Sequence, residues 1–279
     1  MFYDISGKVD PQFIDALLEV KNVADTLDIP FFVVGAIARD LILEHCHSIK
    51  SLRITQDIDL GVKIPDWEKF KSLSEDLLST GKFSKTKDKH RIVYNDVYID
   101  IVPFGPIADK DYRIKWPPEN EIIMSTLGFE EAYKSAITVR LSKQPQLEIK
   151  IPSIPGLALM KLISWRDKYP ERKKDAEDLF FIMKKYEYCG IESRLYEKET
   201  PLLEEEGFDN CLAGIRLLGR DMAKMSNPVT LDKIKEILSN ETADKSGYRL
   251  ISDMISMHDD FDGVLLMLGK LRQGVLEGR

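Results

Sequence analysis

The residues of this chain best suited to chemistry are Asp57 and Asp59, set two apart in the stretch Gln56-Asp57-Ile58-Asp59-Leu60-Gly61-Val62. In a strand alternate side chains share a face, so both carboxylates project the same way, about 6.6 Å apart along the backbone, while Ile58, Leu60 and Val62 turn to the core. Two acids held in this way can converge on a hard cation. Such pairs also occur on solvated strand faces, and what distinguishes this one is its surroundings. Upstream, Gly35-Ala36 turns a short β-rich run into a helix within Val33 to Leu43; the unpaired N–H groups and positive dipole end of a helix N-terminus suit a phosphate. Downstream, Asp100 is a third acid on a strand. In Val97 to Val102, Val97, Ile99 and Ile101 share one face, with Tyr98 and Asp100 on the other. Lys161 and Asp175 each place a charge on or beside an apolar helical stripe. Taken alone, they read as a snorkelling lysine and as an acid favoured in a first helical turn.

These residues need elements to hold them. Asp10 to Asp28 has helical spacing with Pro11 suited to a first turn, and Pro30 ends it. Phe31 to Val34 reads as a strand, Ala36 to His45 as a helix, and a helix opening at Pro65 runs to Gly81. Arg91 to Tyr94 and Val97 to Val102, joined by Asn95-Asp96, form a β-hairpin. Phe104 to Phe129, with Trp116-Pro117-Pro118, is loop-rich and expected to pack across the sheet or a cleft mouth. Ala136 to Arg140 and Leu147 to Ile151 make a further strand pair. From Pro155 the pattern is helical: Gly156 to Lys168, Glu171 to Glu187, Asp209 to Met225, Thr230 to Leu238 and Tyr248 to Leu276. The expected domains are therefore 1–152, mixed α/β, and 153–279, all helical.

With 279 residues, 43% of them hydrophobic, the chain can bury a substantial core. Its net charge of −7 argues against a general nucleic-acid coating protein and leaves room for a local basic groove. Cys46, Cys189 and Cys211 are widely spaced, which fits ordinary thiols in a reducing cytosol. No run approaches the roughly 18 apolar residues of a membrane span, so the expectation is a cytoplasmic protein without a membrane partner. His45-Cys46-His47 is not read as a metal site, because neighbours in a helix do not face one another.

With Gly35-Ala36, Asp57-Ile58-Asp59 and Asp100 placed, the chain resembles the DNA polymerase β-type nucleotidyltransferase superfamily. That pattern is a Gly-Gly or Gly-Ser turn before a helix, a strand with DxD or DxE, and a third acid on a later strand. Val33 to Leu43 is similar to the corresponding turn and helix of CCA-adding enzymes, including Arg39-Asp40. Lys161 followed by RDKYPERKKDAEDLFFI resembles the later motifs of AbiEii-like nucleotidyltransferases, toxins of toxin–antitoxin or phage-abortive systems. The related MenT toxins transfer nucleotides to tRNA acceptor ends. The resemblance covers about Phe31 to Met183. Ala36 departs from it by lacking a hydroxyl, and the segment from Gly35 to Asp57 is longer than the compact signature.

The resemblance implies an α+β fold, a polymerase β-like nucleotidyltransferase domain (mixed sheet with flanking helices) followed by a helical domain completing the active-site cleft. It implies transfer of NMP from an NTP with release of pyrophosphate, at a metal site of Asp57, Asp59 and Asp100. Two Mg2+ ions are expected there, with Mn2+ as the alternative, about 3.5 to 4 Å apart. Gly35, Ala36, Arg39 and Lys161 are the implied nucleotide-binding residues, and Asp175 orients Lys161 or the acceptor hydroxyl. Basic runs at Lys82, Lys85, Lys87, Lys89 and Arg91 and at Arg166, Lys168, Arg172, Lys173 and Lys174 favour an RNA acceptor, tRNA by the resemblance. A toxin role adds an antitoxin protein as partner. The alternatives are transfer to a small molecule or a protein, and a nucleotide-binding regulatory module without transfer, which the three acids oppose and Ala36 mildly favours.

Overall fold

In the computed structural model, which describes residues 2–50, 55–243, 247–256 and 259–278, the chain forms two compact units, Met1–Ser153 and Ile154–Arg279. The first unit opens with β1 (Phe2–Asp4), α1 (Pro11–Thr26), β2 (Phe31–Val34) and α2 (Gly35–Asp40), which continues as a π-helical stretch, Leu41–Cys46. Then come β3 (Ile58–Lys63), α3 (Trp67–Ser79), β4 (Phe83–Lys85), β5 (Arg91–Tyr94) and β6 (Val97–Phe104). A short ribbon of β7 (Arg113–Lys115) and β8 (Ile123–Ser125), helix α4 (Phe129–Lys134), and β9 (Ile137–Lys143) with β10 (Gln146–Ile151) complete it.

Local chemistry accounts for the boundaries. The Asp10 carboxylate accepts the Gln12 N–H at the start of α1, where Pro11 gives up no hydrogen bond. Helix α3 starts two residues after the expected Pro65, because Asp66 is the cap, accepting from Lys69 N at 2.8 Å. Gly81, at φ +72, receives the end of that helix. Between β5 and β6, Asn95 adopts φ +51, the conformation a two-residue hairpin turn requires and asparagine tolerates.

Among the described residues the main sheet runs β2-β3-β6-β5-β4, with β3 and β6 parallel and the other pairs antiparallel. Ile58, Leu60, Val62, Ile99 and Ile101 are all at most 2% exposed, so the alternation expected from sequence holds on both central strands. A second sheet, β1-β9-β10, forms because Phe2–Asp4 pairs in parallel with Thr138 to Arg140. The stretch expected to be loop carries the β7–β8 ribbon, anchored by Trp116, which is 2% exposed and packs on Trp67 and Phe70.

The second unit is helical: α5 (Ile154–Asp167), α6 (Lys173–Lys185), α7 (Glu192–Glu197), α8 (Thr200–Glu205), α9 (Asn210–Met225), α10 (Pro228–Glu241), α11 (Arg249–Met254) and α12 (Phe261–Glu277). Helices α9 and α12 approach closely: a Cβ at Gly274 would meet the Arg216 carbonyl oxygen at 1.9 Å. The single helix expected over Tyr248 to Leu276 is interrupted, with positions 257 and 258 outside the described residues. The break has a cause in Asp260, whose carboxylate caps the new helix through Gly263 N at 2.9 Å. Among the described residues no helix is long and apolar enough to cross a membrane.

Candidate active site

The strand register brings the acids together. Asp59 on β3 and Asp100 on β6 are paired positions of adjacent parallel strands, so their side chains leave the same face of the sheet about 4.8 Å apart at the backbone. Asp57 lies two residues before Asp59, just ahead of β3, with its side chain 47% exposed. On the other side of β3, Val34 pairs with Asp59, which sets the following Gly35 against that carboxylate. A Cβ at Gly35 would stand 2.0 Å from Asp59 Oδ2, and its φ of +71 is one that a side chain resists. Glycine is required there on both counts. Gly35→Ala is expected to push Asp59 out of place and to lower stability by at least about 1 kcal/mol, read from urea melts of the two proteins.

The fourth member of the group is Arg91, which the sequence places in a basic run and at the start of a hairpin strand, with no role at the site. On β5 it stands opposite Asp100. Its Nε and Nη2 donate to Asp100 Oδ1 and Oδ2 at 2.6 and 2.7 Å, a two-pronged pairing, and Nη2 lies 4.0 Å from Asp57 Oδ2. Asp100's hydrogen bonds hold the guanidinium well above arginine's ordinary pKa, so the charge is permanent. His90 Nε2 lies 3.9 Å from Asp100 Oδ1, and the Tyr98 ring, 45% exposed, has the Arg91 guanidinium 5.3 Å from its centroid. The signal for Arg91 was present in the sequence: counting back from the Asn95-Asp96 turn sets Arg91 opposite Asp100.

Asp57, Arg91 and Tyr98 open onto a cleft of about 1080 Å3 whose lining includes Asp10, Asp40, Glu44, Lys50 and Asp96. Gly35 and Ala36 are half-buried beside Asp59. Arg39 does not line this cleft; it is 3% exposed, with Nη2 donating to Asp40 Oδ1 at 2.6 Å, while Thr55 donates to Asp40 Oδ2.

Lys161 and Asp175 belong to the helical unit, where they meet each other. Lys161 Nζ lies 2.8 Å from Asp175 Oδ1 and 2.8 Å from Asp178 Oδ2, and Ser164 donates to Asp175 Oδ2. Burial opposes the lysine's charge, but the two aspartates outweigh it and raise its pKa above the ordinary 10.5. Asp178 was not singled out from sequence; it lies one helical turn after Asp175, the spacing that lets both reach a single lysine.

The donor set of Asp57, Asp59 and Asp100 is all oxygen, the chemistry of Mg2+ or Mn2+ and not of a soft metal. Among the described residues, however, no group of three or more His, Cys, Asp or Glu side chains is gathered closely enough to hold a metal ion. What occupies Asp100 in their midst is Arg91.

No family model matches this chain, and no curated protein matches it. Solved structures show a distant likeness. The antibiotic-resistance factor ANT(2'')-Ia is 13% identical, with 71% of this chain and 98% of that chain covered and a TM-score of 0.37. An antigenic nucleotidyltransferase-like protein from Paracoccidioides brasiliensis is 16% identical, with 70% and 90% covered and a TM-score of 0.39. A CCA-adding enzyme in complex with ATP is 18% identical, with 92% and 66% covered and a TM-score of 0.32. At these identities and TM-scores no activity carries over to this chain.

Proposed function

We propose that this protein is an NTP-dependent nucleotidyltransferase whose reacting groups lie on the face of the main sheet. The observation that carries this reading is the pairing of Asp59 with Asp100 on adjacent parallel strands, with Asp57 just ahead of β3 and Gly35 pressed against Asp59. In the reaction an acceptor hydroxyl oxygen bonds to the α-phosphorus in line, the bridging α–β P–O bond breaks, and pyrophosphate leaves with the electron pair. The hydroxyl proton passes to Asp100. The backbone amides of Gly35 and Ala36 receive the β and γ phosphates. Asp57, Asp59 and Asp100 would hold Mg2+, two ions by the resemblance, which when bound supplies the charge that acidifies the hydroxyl and neutralises the leaving group.

For the helical unit, two carboxylates already engage Lys161, which supports a positioning role for Lys161 and Asp175 over a direct grip on phosphate. The acceptor we favour is RNA, with tRNA the form that the resemblance suggests, in the setting of a cytoplasmic toxin countered by an antitoxin protein. Its support is that Lys85, Lys87, Lys168, Arg172, Lys173 and Lys174 are all exposed. A second reading, a small cationic acceptor, is favoured by the cleft, where Asp10, Asp40, Glu44, Asp57 and Asp96 outnumber Lys50 and Arg91. Incubation with each α-32P NTP, total RNA, protein and metabolites separates the two. For RNA, labelling falls steeply as salt rises from about 50 to about 200 mM. Label in the low-molecular-weight fraction, with a much shallower dependence on salt, would establish the second reading instead.

A further inference from the structure

The Arg91–Asp100 pairing has a cost for the site it occupies. Both Asp100 oxygens accept from one guanidinium, which also faces Asp57, so the positive charge of the group is already present before any ion or substrate arrives. Arg91 is neither buried nor trapped: its side chain is 29% exposed, it borders the cleft, and the exposed face of Tyr98 lies within cation–π reach. A guanidinium matches phosphate oxygens as well as it matches a carboxylate. A bound polyphosphate would therefore offer it a second partner.

We propose that Arg91 is a counterion that changes partner: it pairs with Asp100 in the free protein and moves to the phosphates of a bound nucleotide when a divalent ion takes the carboxylates. This rests on the nucleotidyltransferase reading above. It makes Arg91 a positioning residue that couples two ligands. On its own, the divalent ion must displace Arg91 and binds weakly; a polyphosphate that draws Arg91 away strengthens the ion's hold, and the ion strengthens the nucleotide's by the same factor.

The consequence is a pair of effects of opposite sign in Arg91→Gln. Mn2+ alone, followed by its paramagnetic resonance signal, should bind the variant about tenfold tighter than wild type, the scale of a charged hydrogen-bonded contact removed. At saturating Mn2+, the four α,β-methylene nucleoside triphosphates, tested by calorimetry, should include one that binds wild type and binds the variant about tenfold more weakly. A merely structural role would weaken both. Asp59→Asn, made in each background, supplies the control. If it removes Mn2+ binding while Arg91→Gln leaves Mn2+ affinity unchanged or lower, the partner exchange is wrong and the carboxylate site stands. If Mn2+ affinity is the same in all of these proteins, Asp59→Asn included, the carboxylate site itself is refuted and the exchange with it.

Discussion

Asp59→Asn is expected to reduce nucleotidyl transfer by a factor of about 10^3 or more while leaving the protein folded. Asp59 is the one acid locked by its neighbours on both sides, with Val34 and then Gly35 on one and Asp100 on the other. The amide is nearly the same size, so the sheet register and the close approach of Gly35 survive; what is lost is one negative charge and its affinity for a cation. Pyrophosphate release under single-turnover conditions, with a thermal melt of the same sample, separates chemistry from folding. Wild-type rates in Asp59→Asn would remove the site from the mechanism. Asp57→Asn and Asp100→Asn should show losses of the same kind.

The second large effect is on stability. Lys161→Ala is expected to destabilise the helical unit by about 3 to 5 kcal/mol, because it removes the buried ammonium shared by two buried aspartates and leaves only the exposed Arg172, 3.8 Å from Asp175 Oδ2, beside them. Lys161, Asp175 and Asp178 are 7%, 3% and 3% exposed, and the ammonium is what links the two carboxylates. The triple change Lys161→Met, Asp175→Asn, Asp178→Asn removes all three charges together and should recover much of the loss, since neutralising a whole buried cluster is far less damaging than breaking it. The pH dependence follows from the raised lysine pKa. The stabilisation is complete below the ordinary value of 10.5 and fades as pH rises through the higher value of the folded state, so Lys161→Ala differs fully from wild type at pH 7 and less in strong alkali. Urea unfolding at neutral and alkaline pH reads both. A neutral-pH loss below about 1 kcal/mol would show that the cluster is dispensable.

Much of this was legible in the chain because it is written locally. The alternation Ile58, Leu60, Val62 and Ile99, Ile101 has the period of a strand, and the Asn95-Asp96 pair has the chemistry of a tight turn. What escaped depends on partners distant in sequence or on a single capping side chain. Strand β1 is three residues long and exists through pairing with Thr138 to Arg140. The break between α11 and α12 turns on the capping carboxylate of Asp260 within an otherwise helical pattern. At the candidate site, the shared face of the acids followed from periodicity, but that β3 and β6 are neighbours with Asp59 set against Asp100 is a matter of sheet order, which no local pattern encodes. Arg91 is the instructive residue. In the sequence it stands at the end of a run of cations and at the start of a hairpin strand, and the hairpin's own register sets it opposite Asp100. Lys161 and Asp175 came forward by resemblance as partners, and the structure joins them and adds Asp178.

We propose that the carboxylates on this sheet face serve transfer of a nucleotide and not of a phosphoryl group. The most direct measurement compares NTPs labelled at the α and γ positions, incubated with the protein, Mg2+ and total RNA, protein and metabolites. α-Label is expected to enter an acceptor, and γ-label to appear only in released pyrophosphate. Acceptor carrying γ-label and no α-label would contradict this proposal.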